Sequence, residues 1–292
     1  MTSPEYECPY SKIGIVGLGL IGGSLAYLIK KVFAKIPLVG VDSNKETIKL
    51  AKEKGVIDAG FESIEKMPQD IQLVFLATPL NVIEECAKKV SRNFKHEVTI
   101  TDVGSAKHFL SEVHKDLASR HLFIPGHPMA GSEKTGFFHA SHWILENATY
   151  ILVPQNHPRY AVFRRFLKEL GFIVKELESD VHDHVVAFSS HVPYLMACLT
   201  VQATESLSKE TFPILKEMIS SGFKDTTRVA ASSPEWGAQI CLTNAKNLLG
   251  AIQNIKAHLR ILENGIKQGN IGALRNYFCE VKERRGDFFS AK

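Results

Sequence analysis

Residues 126–136, GHPMAGSEKTG, gather several side chains that can take part in chemistry into one short segment. His127 follows the strand-like run LFIP, and Ser132 and Glu133 come a few residues later among glycines. A neutral imidazole has an ordinary pKa of about 6.5, which suits it to take a proton from a hydroxyl group. Ser105 follows a neighbouring predicted strand and is expected to hydrogen-bond this imidazole. The segment is either a surface turn or a loop that holds a reacting molecule, with His127 as candidate base.

A glycine-rich turn precedes the first predicted helix. Residues 17–23, GLGLIGG, give the spacing Gly17-x-Gly19-x-x-Gly22 directly after a predicted strand. In dinucleotide-binding folds the first glycine allows the tight turn, the second admits the pyrophosphate, and the third lets helix and strand pack closely. A similar turn in an unrelated α/β fold is the alternative. The predicted cofactor-binding residues of this turn are Gly17, Leu18, Gly19, Leu20, Ile21 and Gly22.

Asp42 ends the second predicted strand, at the distance from the glycine turn that a ribose-binding carboxylate requires. A carboxylate there accepts hydrogen bonds from the ribose hydroxyls of NAD and repels the 2′-phosphate of NADP. Ser43 and Asn44 follow, with no arginine beside them, although Lys45 is able to soften the preference. The sequence therefore predicts NAD as the cofactor.

The first part of the chain alternates strand-like and helical patterns, which predicts a parallel sheet covered on both faces. Four apolar runs have strand length: 12–17, 37–41, 71–77 and 97–103. Three further strand candidates are LFIPGH, ATYILVP and GFIVKELES, with a helix predicted over 158–170 before the last. The predicted class is α/β, with a Rossmann-type doubly wound parallel sheet.

From about residue 180 strand signals vanish and helical periodicity takes over. The predicted helical stretches are 181–207, 209–221, 234–264 and 269–285. We therefore predict two domains, an NAD-binding domain over 1–178 and an all-helical substrate and dimerisation domain over 179–292. Thr78 and Pro79 follow a predicted strand and are expected at the cofactor crevice, although an ordinary strand-to-loop turn explains them nearly as well.

Composition narrows the classes of function. The 292 residues carry a formal charge of +4 and no basic run, so we expect no nucleic-acid partner. Five scattered cysteines do not describe a disulfide framework, and the N-terminus has no secretory signal pattern, which together favour the cytoplasm. The most apolar run, VVAFSSHVPYLMACLTVQA, is interrupted by polar residues and is interpreted as a buried helix rather than a membrane span.

Histidine pairs elsewhere in the chain are the candidate metal ligands. His182 and His184 point about 200° apart if they lie on one helix. His139 and His142 are able to share a face, but no cysteine or carboxylate completes a ligand set. We predict no metal.

Several motifs together resemble the prephenate dehydrogenase family, which includes arogenate and cyclohexadienyl dehydrogenases. They are GLGLIGGS, DVGSAK, GHPMAGSEKTG, SSHVPY and FKDTTRVAASSPEW, in order over nearly the whole chain. The first is shared by many dehydrogenases, whereas the later motifs are far more specific. The resemblance implies NAD-dependent oxidative decarboxylation of prephenate to 4-hydroxyphenylpyruvate and CO2 in tyrosine biosynthesis, by a homodimer that forms through its helical domains.

The resemblance also implies roles for individual residues. His127 would take the proton of the substrate's ring hydroxyl, with Ser105 holding the imidazole in place. Arg228 would pair with a substrate carboxylate, although a salt bridge to Asp225 is the ordinary alternative for that arginine. Ser132 and Glu133 would line the mouth of the pocket, where Glu133 can pair with Arg228 in a gating contact.

Residues of the helical domain complete the expected site. Ser190 and His191 would contact the substrate, and Trp236 would reach into the active site of a partner subunit. Tyr194 stands where bacterial prephenate enzymes often have a second histidine, in S-H-L-P-H. It is expected in the substrate region, so it leaves open the choice between prephenate and arogenate.

Three alternatives remain. An arogenate or dual-specificity cyclohexadienyl dehydrogenase is the nearest one, and a hydroxyacid dehydrogenase or imine reductase with a similar two-domain plan is more distant. The third alternative belongs to another class of protein, a non-catalytic NAD-binding regulatory protein. We also expect a monofunctional enzyme, without a fused chorismate mutase or regulatory domain.

Overall fold

The computed structural model describes residues 7–111, 113, 117 and 120–290. The chain divides into two compact units, Met1–Ala245 and Lys246–Lys292. The domain boundary predicted between residues 178 and 179 lies inside the first unit and stays a prediction.

The first unit is built on a six-stranded parallel sheet with the order β3-β2-β1-β4-β5-β6. Its strands are β1 (Ile13–Val16), β2 (Leu38–Val41), β3 (Ala59–Phe61), β4 (Leu73–Leu76), β5 (Thr99–Asp102) and β6 (Leu122–Ile124). This is the strand order of a doubly wound dinucleotide-binding sheet, as predicted. The edge strand β3 was missed by sequence reasoning, because three half-buried residues, AGF, carry no strand pattern.

A second sheet has the order β7-β8-β9, with strands β7 (Gly126–Pro128), β8 (Thr149–Leu152) and β9 (Ile173–Glu176). β7 pairs antiparallel with β8, whereas β8 and β9 are parallel. The run LFIPGH, predicted as one strand, is therefore divided at Pro125 between the two sheets. Proline has no N–H to donate to a ladder, so a strand tends to end there. The division places His127 in the second sheet, opposite Ile151.

Helices cover both faces of the six-stranded sheet, and side chains of β1, β2, β4 and β6 divide between two core clusters. Leu73 and Phe75 of β4 belong to one cluster, and Val74 and Leu76 to the other. The helices of this part are α1 (Leu20–Val32), α2 (Lys45–Glu53), α3 (Leu80–Asn93) and α4 (Pro158–Glu169).

From Ser179 onward the described chain is mostly helical, as predicted. Its helices are α5 (Ser179–Val186), α6 (Val192–Gln202), α7 (Thr211–Met218), α8 (Ser221–Thr227), α9 (Pro234–Thr243), α10 (Ala245–Lys267) and α11 (Ile271–Phe289). A π-helical segment, Ala187–His191, joins α5 to α6. The stretch predicted over 234–264 breaks at Asn244, whose side chain bonds the backbone oxygen of Asp183 at 2.8 Å.

One continuous helical stretch, Ser179–Ser206, has the length and apolar composition that a membrane crossing requires. Core helices of globular proteins can have the same composition. This stretch carries His182, Asp183 and His191, all buried, and Asp183 bonds backbone groups at the end of the parallel sheet. The helix is packed on one side only: Phe188, Leu199 and Val201 are exposed, so it is less buried than predicted.

A buried ion pair connects the two sheets. The ammonium group of Lys107 contacts the carboxylate of Asp102 and donates to the carbonyl oxygen of Gly126 at 2.7 Å. The same carboxylate accepts the backbone N–H groups of Gly104 at 2.8 Å and Gly126 at 3.1 Å. Burial lowers the pKa of Lys107, and the charge of Asp102 opposes that shift. The pair thereby fixes the start of β7 against the end of β5.

We expect Lys107→Met to lower the free energy of unfolding by about 3–5 kcal/mol, because it leaves the carboxylate of Asp102 buried without its cation. Urea denaturation followed by circular dichroism measures the loss. Lys12→Met is the matched control, since Lys12 pairs with an Asp70 whose side chain is 66% exposed. Loss of such a surface pair costs at most about 1 kcal/mol. Equal losses in the two variants would contradict a stabilising role for the buried pair.

Candidate active site

The three glycines of the turn after β1 differ in what surrounds them. Gly17 has a φ of +89°, and a Cβ atom there would lie 2.5 Å from the carbonyl oxygen of Ala77. A Cβ atom on Gly22 would lie 1.9 Å from the carbonyl oxygen of Gly17. A Cβ atom on Gly19 would meet no described atom within 4 Å. Gly17 and Gly22 are therefore required by the fold itself, whereas Gly19 leaves open space outside the turn.

The N-terminus of α1 suits a phosphate group. Gly19 is its N-cap and supplies no side chain, and no acidic residue lies in the first turn. The first N–H groups of the helix are thus left for a ligand, and a bound anion would meet the positive end of the helix dipole. Leu18 is buried, whereas Leu20 and Ile21 are half-buried at the start of the helix.

Asp42 follows β2 and is held against the glycine turn. Its Oδ2 accepts the backbone N–H of Leu18 at 2.8 Å, and its Oδ1 accepts that of Asn44 at 2.9 Å. Each oxygen retains a further lone pair for a ribose hydroxyl. Lys45, the one residue that weakened the NAD prediction, pairs with Glu62 at 3.5 Å.

Thr78 and Pro79 lie at the carboxyl end of β4, next to the turn. A Cβ atom on Gly17 would come within 3.0 Å of the backbone nitrogen of Thr78. Pro79 is the N-cap of α3, and the N–H of Leu80 donates to Oε1 of Gln239 at 2.9 Å. Gln239 lies on α9 and was missed by sequence reasoning. It ties the helical part of the first unit to this strand end.

His127 is buried on β7, and its Nδ1 lies 2.9 Å from Nε2 of His182. The Nδ1 of His182 lies 2.7 Å from Oδ1 of Asp183. Both carboxylate oxygens of Asp183 also accept backbone N–H groups, from Lys107 at 2.7 Å and from His108 at 2.9 Å. Burial lowers the pKa of His127 well below its ordinary value, and charge on His182, Lys107 and His191 adds to the effect.

The hydrogen bond predicted between Ser105 and His127 is not formed. Ser105 Oγ is buried and has no hydrogen-bond partner within the described ranges. The partner of the imidazole is His182, which lies on α5, a helix distant in sequence from β7. The prediction considered His182 only as a metal ligand with His184. Two features of the sequence could have indicated this role for His182. Asp183 places a carboxylate next to it, and helix geometry turns it away from His184, which is exposed.

Three predicted substrate residues of the helical part lie together. His191 is fully buried, its Nδ1 lies 3.3 Å from Nδ2 of Asn244, and burial lowers its pKa to about 4. Its Nε2 has no hydrogen-bond partner among the described residues. The ring of Trp236 lies edge-on to His191 at 6.3 Å and to Tyr194 at 5.1 Å, all within one chain. Ser190 is half-buried in the π-helical segment. The predicted reach of Trp236 into a partner's site stays a prediction.

The remaining predicted residues lie at the protein surface. Nη1 of Arg228 is 3.1 Å from Oε2 of Glu133, and the arginine side chain is 62% exposed. This arginine thus pairs with the loop after β7, rather than with Asp225. Ser132 is exposed, and its Oγ accepts the backbone N–H of Lys134 at 3.0 Å, which shapes the loop.

A doubly wound sheet, a glycine turn held by a ribose-type carboxylate, and a buried histidine beyond the strand ends define a dinucleotide-dependent dehydrogenase. Comparison with known families is more specific. The model for the nucleotide-binding domain of prephenate dehydrogenase matches residues 25–176, and that for its dimerization domain matches residues 178–280. The chain belongs to the prephenate dehydrogenase family.

Individual relatives agree with that assignment. Prephenate dehydrogenase of Lactococcus lactis is 34% identical over 277 residues, which are 94% of this chain and 76% of that protein. The crystal structure of prephenate dehydrogenase from A. aeolicus, in complex with hydroxyphenyl propionate and NAD+, matches with a TM-score of 0.86 and 31% identity, over 95% of this chain and 98% of that one. Arogenate dehydrogenase of Synechocystis matches with a TM-score of 0.77 and 30% identity, over 95% and 99%.

We expect Asp42→Ala to shift cofactor preference from NAD toward NADP by about ten- to a hundredfold, because hydrogen bonds to a charged group contribute about 1.5–3 kcal/mol. The measurement is kcat/KM for each cofactor. Asp42→Asn keeps one oxygen acceptor but removes the charge, so it separates repulsion of a 2′-phosphate from loss of the ribose hydrogen bonds. An unchanged ratio in both variants would remove Asp42 from the cofactor site.

Proposed function

We propose that this chain catalyses the NAD-dependent oxidation of prephenate, with loss of CO2, to 4-hydroxyphenylpyruvate in tyrosine biosynthesis. The observation that carries the proposal is the state of His127. Its ring is buried, its pKa is lowered well below the ordinary value, and its Nδ1 is occupied by His182. A neutral imidazole with one nitrogen held and the other available is the base that alcohol oxidation requires. Membership of the prephenate dehydrogenase family supplies the substrate class.

NAD would be held by the glycine turn and Asp42, and when bound it accepts a hydride from the carbon that bears the substrate hydroxyl. The imidazole of His127 takes the hydroxyl proton in the same step. Ser105 Oγ and His191 Nε2 are buried polar atoms without partners among the described residues, so each is able to hydrogen-bond the substrate. The ring then loses its carboxylate as CO2 and becomes aromatic, and its oxygen recovers the proton from the imidazolium of His127. Formation of the aromatic ring makes the reaction irreversible.

Arg228 would bind a substrate carboxylate. Its guanidinium group is planar and can hold a carboxylate through two hydrogen bonds. It is paired with Glu133 in the structure, so substrate binding requires that it leave or share this carboxylate. We propose that the Glu133–Arg228 contact closes the mouth of the pocket when no substrate is bound, with Ser132 at its rim.

The domain plan and location follow the same proposal. The nucleotide-binding domain would end near residue 178, and the helical domain would supply the remaining substrate contacts from Ser190, His191, Tyr194 and Trp236. All five cysteines are free. A reducing cytoplasm suits such a protein, and we place the enzyme there.

Formation of NADH, followed by its absorbance with prephenate and separately with arogenate, tests the activity. We expect the higher kcat/KM with prephenate. A preference for arogenate would instead select the aminated substrate, as in the Synechocystis relative named for it. No NADH with either substrate, in protein that binds NAD by calorimetry, would make the chain a binding protein without turnover.

His127→Asn and Arg228→Gln are expected to fail in different ways. His127 acts on a proton that moves in the chemical step, so its loss lowers kcat by about a hundred- to ten-thousandfold. Arg228 holds a carboxylate in ground and transition states alike, so its loss chiefly raises KM, by about ten- to a hundredfold. Steady-state kinetics separates the two effects. Arg159→Gln, which removes an arginine paired with Glu97 at 3.6 Å, is the matched control and should change neither constant.

The pH profile of kcat/KM tests whether burial lowers the pKa of His127. Because the pKa of His127 is lowered, the imidazole stays neutral as the pH falls through about 6.5, and activity persists there. The acidic limb therefore lies below the ordinary histidine range in the wild type, and it disappears in His127→Asn. A limb at or above pH 7 would contradict a buried neutral base.

We further propose a homodimer that forms through the helical domain. α10 and α11 expose large apolar side chains, among them Leu249, Leu259, Ile266, Ile271, Phe278 and Phe288. Such an unpartnered apolar surface is typical of an oligomer interface. Light scattering at micromolar concentration should give twice the chain mass. Phe278→Glu should shift the protein toward the monomer, whereas Phe138→Glu, at an exposed phenylalanine outside the helical domain, should leave the dimer intact. A monomeric wild type would rule the proposal out.

A further inference from the structure

Three side chains form a continuous hydrogen-bonded series behind the proposed base. Asp183 Oδ1 lies 2.7 Å from Nδ1 of His182, and Nε2 of His182 lies 2.9 Å from Nδ1 of His127. All three side chains are buried. Neither His182 nor Asp183 is needed to bind the substrate in the function proposed above, so their arrangement requires a separate explanation.

The carboxylate determines which nitrogen of His182 carries its proton. Asp183 accepts two backbone N–H groups, from Lys107 and His108, one on each oxygen. A carboxylate used in this way is an acceptor, so the Nδ1 of His182 must be the donor. When His182 is neutral, its Nε2 then has no proton and can only accept.

The same reasoning fixes the proton of His127. Two ring nitrogens 2.9 Å apart need one proton between them, and Nε2 of His182 cannot supply it. Nδ1 of His127 is therefore the donor, and its Nε2 keeps the lone pair. The opposite arrangement, with a protonated His182 donating to His127, would put the proton of neutral His127 on Nε2 and leave no base on the substrate side.

We propose that His182 and Asp183 are positioning residues that hold His127 in the Nδ1–H tautomer, so that Nε2 is the atom that accepts the substrate proton. The proposal rests on the function proposed above, but it concerns a property of the enzyme without substrate. It also explains why the imidazolium formed during reaction is tolerated in a buried site. The protonated ring keeps its Nδ1–H bond to His182, which remains anchored on Asp183.

The location of Asp183 makes the series rigid. Its carboxylate bonds consecutive backbone N–H groups after β5, and its backbone oxygen accepts from Asn244 at 2.8 Å. The charged and titratable groups around His127 are Lys107, His182 and His191, with Asp183 beyond His182. Lys107 is held by its contact with Asp102, and His191 is bonded to Asn244.

The direct test is the tautomer of His127 in protein labelled with ¹⁵N-histidine, read from long-range ¹H–¹⁵N correlations near neutral pH without substrate. His127→Asn assigns the signals. In the wild type we expect a protonated Nδ1 and an unprotonated Nε2. In His182→Leu the constraint is lost, and the Nε2–H form should appear. A wild type with its proton on Nε2 would overturn the proposal, whatever the substrate proves to be.

Kinetics gives a second readout from a matched set of variants. His182→Leu removes the acceptor, and we expect kcat to fall at least about tenfold and up to about 10⁴-fold, with KM little changed. His182→Gln can place an amide oxygen near the lost Nε2, so it should recover most of the loss. His184→Leu changes the exposed neighbour two residues on and should leave kcat unchanged.

The pH profile separates positioning from a general loss of structure. His182→Leu and His182→Gln both remove the charge of His182, which lowers the pKa of His127. Only the leucine variant also removes the acceptor of the His127 Nδ1–H, so its acidic limb of kcat should lie at lower pH than that of His182→Gln. A variant that is only partly folded has a lower plateau with an unmoved limb. Equal losses in His182→Leu and His182→Gln, with the acidic limb at the same pH in both, would overturn the proposal. The expected tautomer in a wild type that oxidises neither prephenate nor arogenate would instead reject the proposed function and leave this inference standing.

Discussion

The buried ammonium group of Lys107 joins the segments that carry the active site. Its Nζ contacts the Asp102 carboxylate at the end of β5 and the carbonyl of Gly126 at the start of β7, and its own backbone N–H is bound by Asp183 of α5. An ammonium group without partners is strongly unfavourable at this depth, so these segments must assemble together. His127 follows Gly126 directly, and His182 precedes Asp183. The ion pair therefore sets the distance between base and positioning residue, although it touches neither ring.

The same charges suit the proposed chemistry. The ammonium group of Lys107 contacts Asp102, and the carboxylate of Asp183 accepts the backbone N–H of the same lysine. Burial keeps His127 neutral in the resting enzyme, so a base is present before substrate arrives. The positive charge of Lys107 opposes protonation of His127, so in the proposed mechanism the imidazolium is stabilised through its Nδ1–H bond to His182, which is anchored on Asp183. Fixed charges of this kind act without reorganisation at the moment of reaction.

The sequence predicted the elements more reliably than the contacts between them. Strand patterns and the glycine spacing follow from local periodicity and backbone sterics, so the parallel sheet and the Gly17–Gly22 turn were predictable. The division of LFIPGH at Pro125 depends on which partner strand each half finds, and periodicity carries no such information. His182 shows the same limit in the site. It was considered only in a metal pair with His184, which helix geometry argued against, whereas its contact with His127 joins residues 55 positions apart. Ser105 was placed correctly after β5, but its expected partner is already occupied.

The packing of Tyr194 bears on the choice between prephenate and arogenate. A Cβ atom on Gly237 would lie 2.2 Å from the hydroxyl oxygen of Tyr194. The ring of Tyr194 packs edge-on against Trp236. The side chain is thus used in packing α6 against α9, and only a glycine at position 237 leaves room for it. A histidine at this position in relatives offers a polar group, whereas here the tyrosine fills the space and supports Trp236. We therefore expect discrimination between a keto and an amino side chain to depend chiefly on buried polar atoms that have no partner among the described residues. His191 Nε2 is such an atom in the helical part, and the lowered pKa of this imidazole keeps it neutral. A neutral imidazole does not repel an ammonium group, so rejection of an aminated substrate would have to rest on hydrogen-bond geometry rather than on charge.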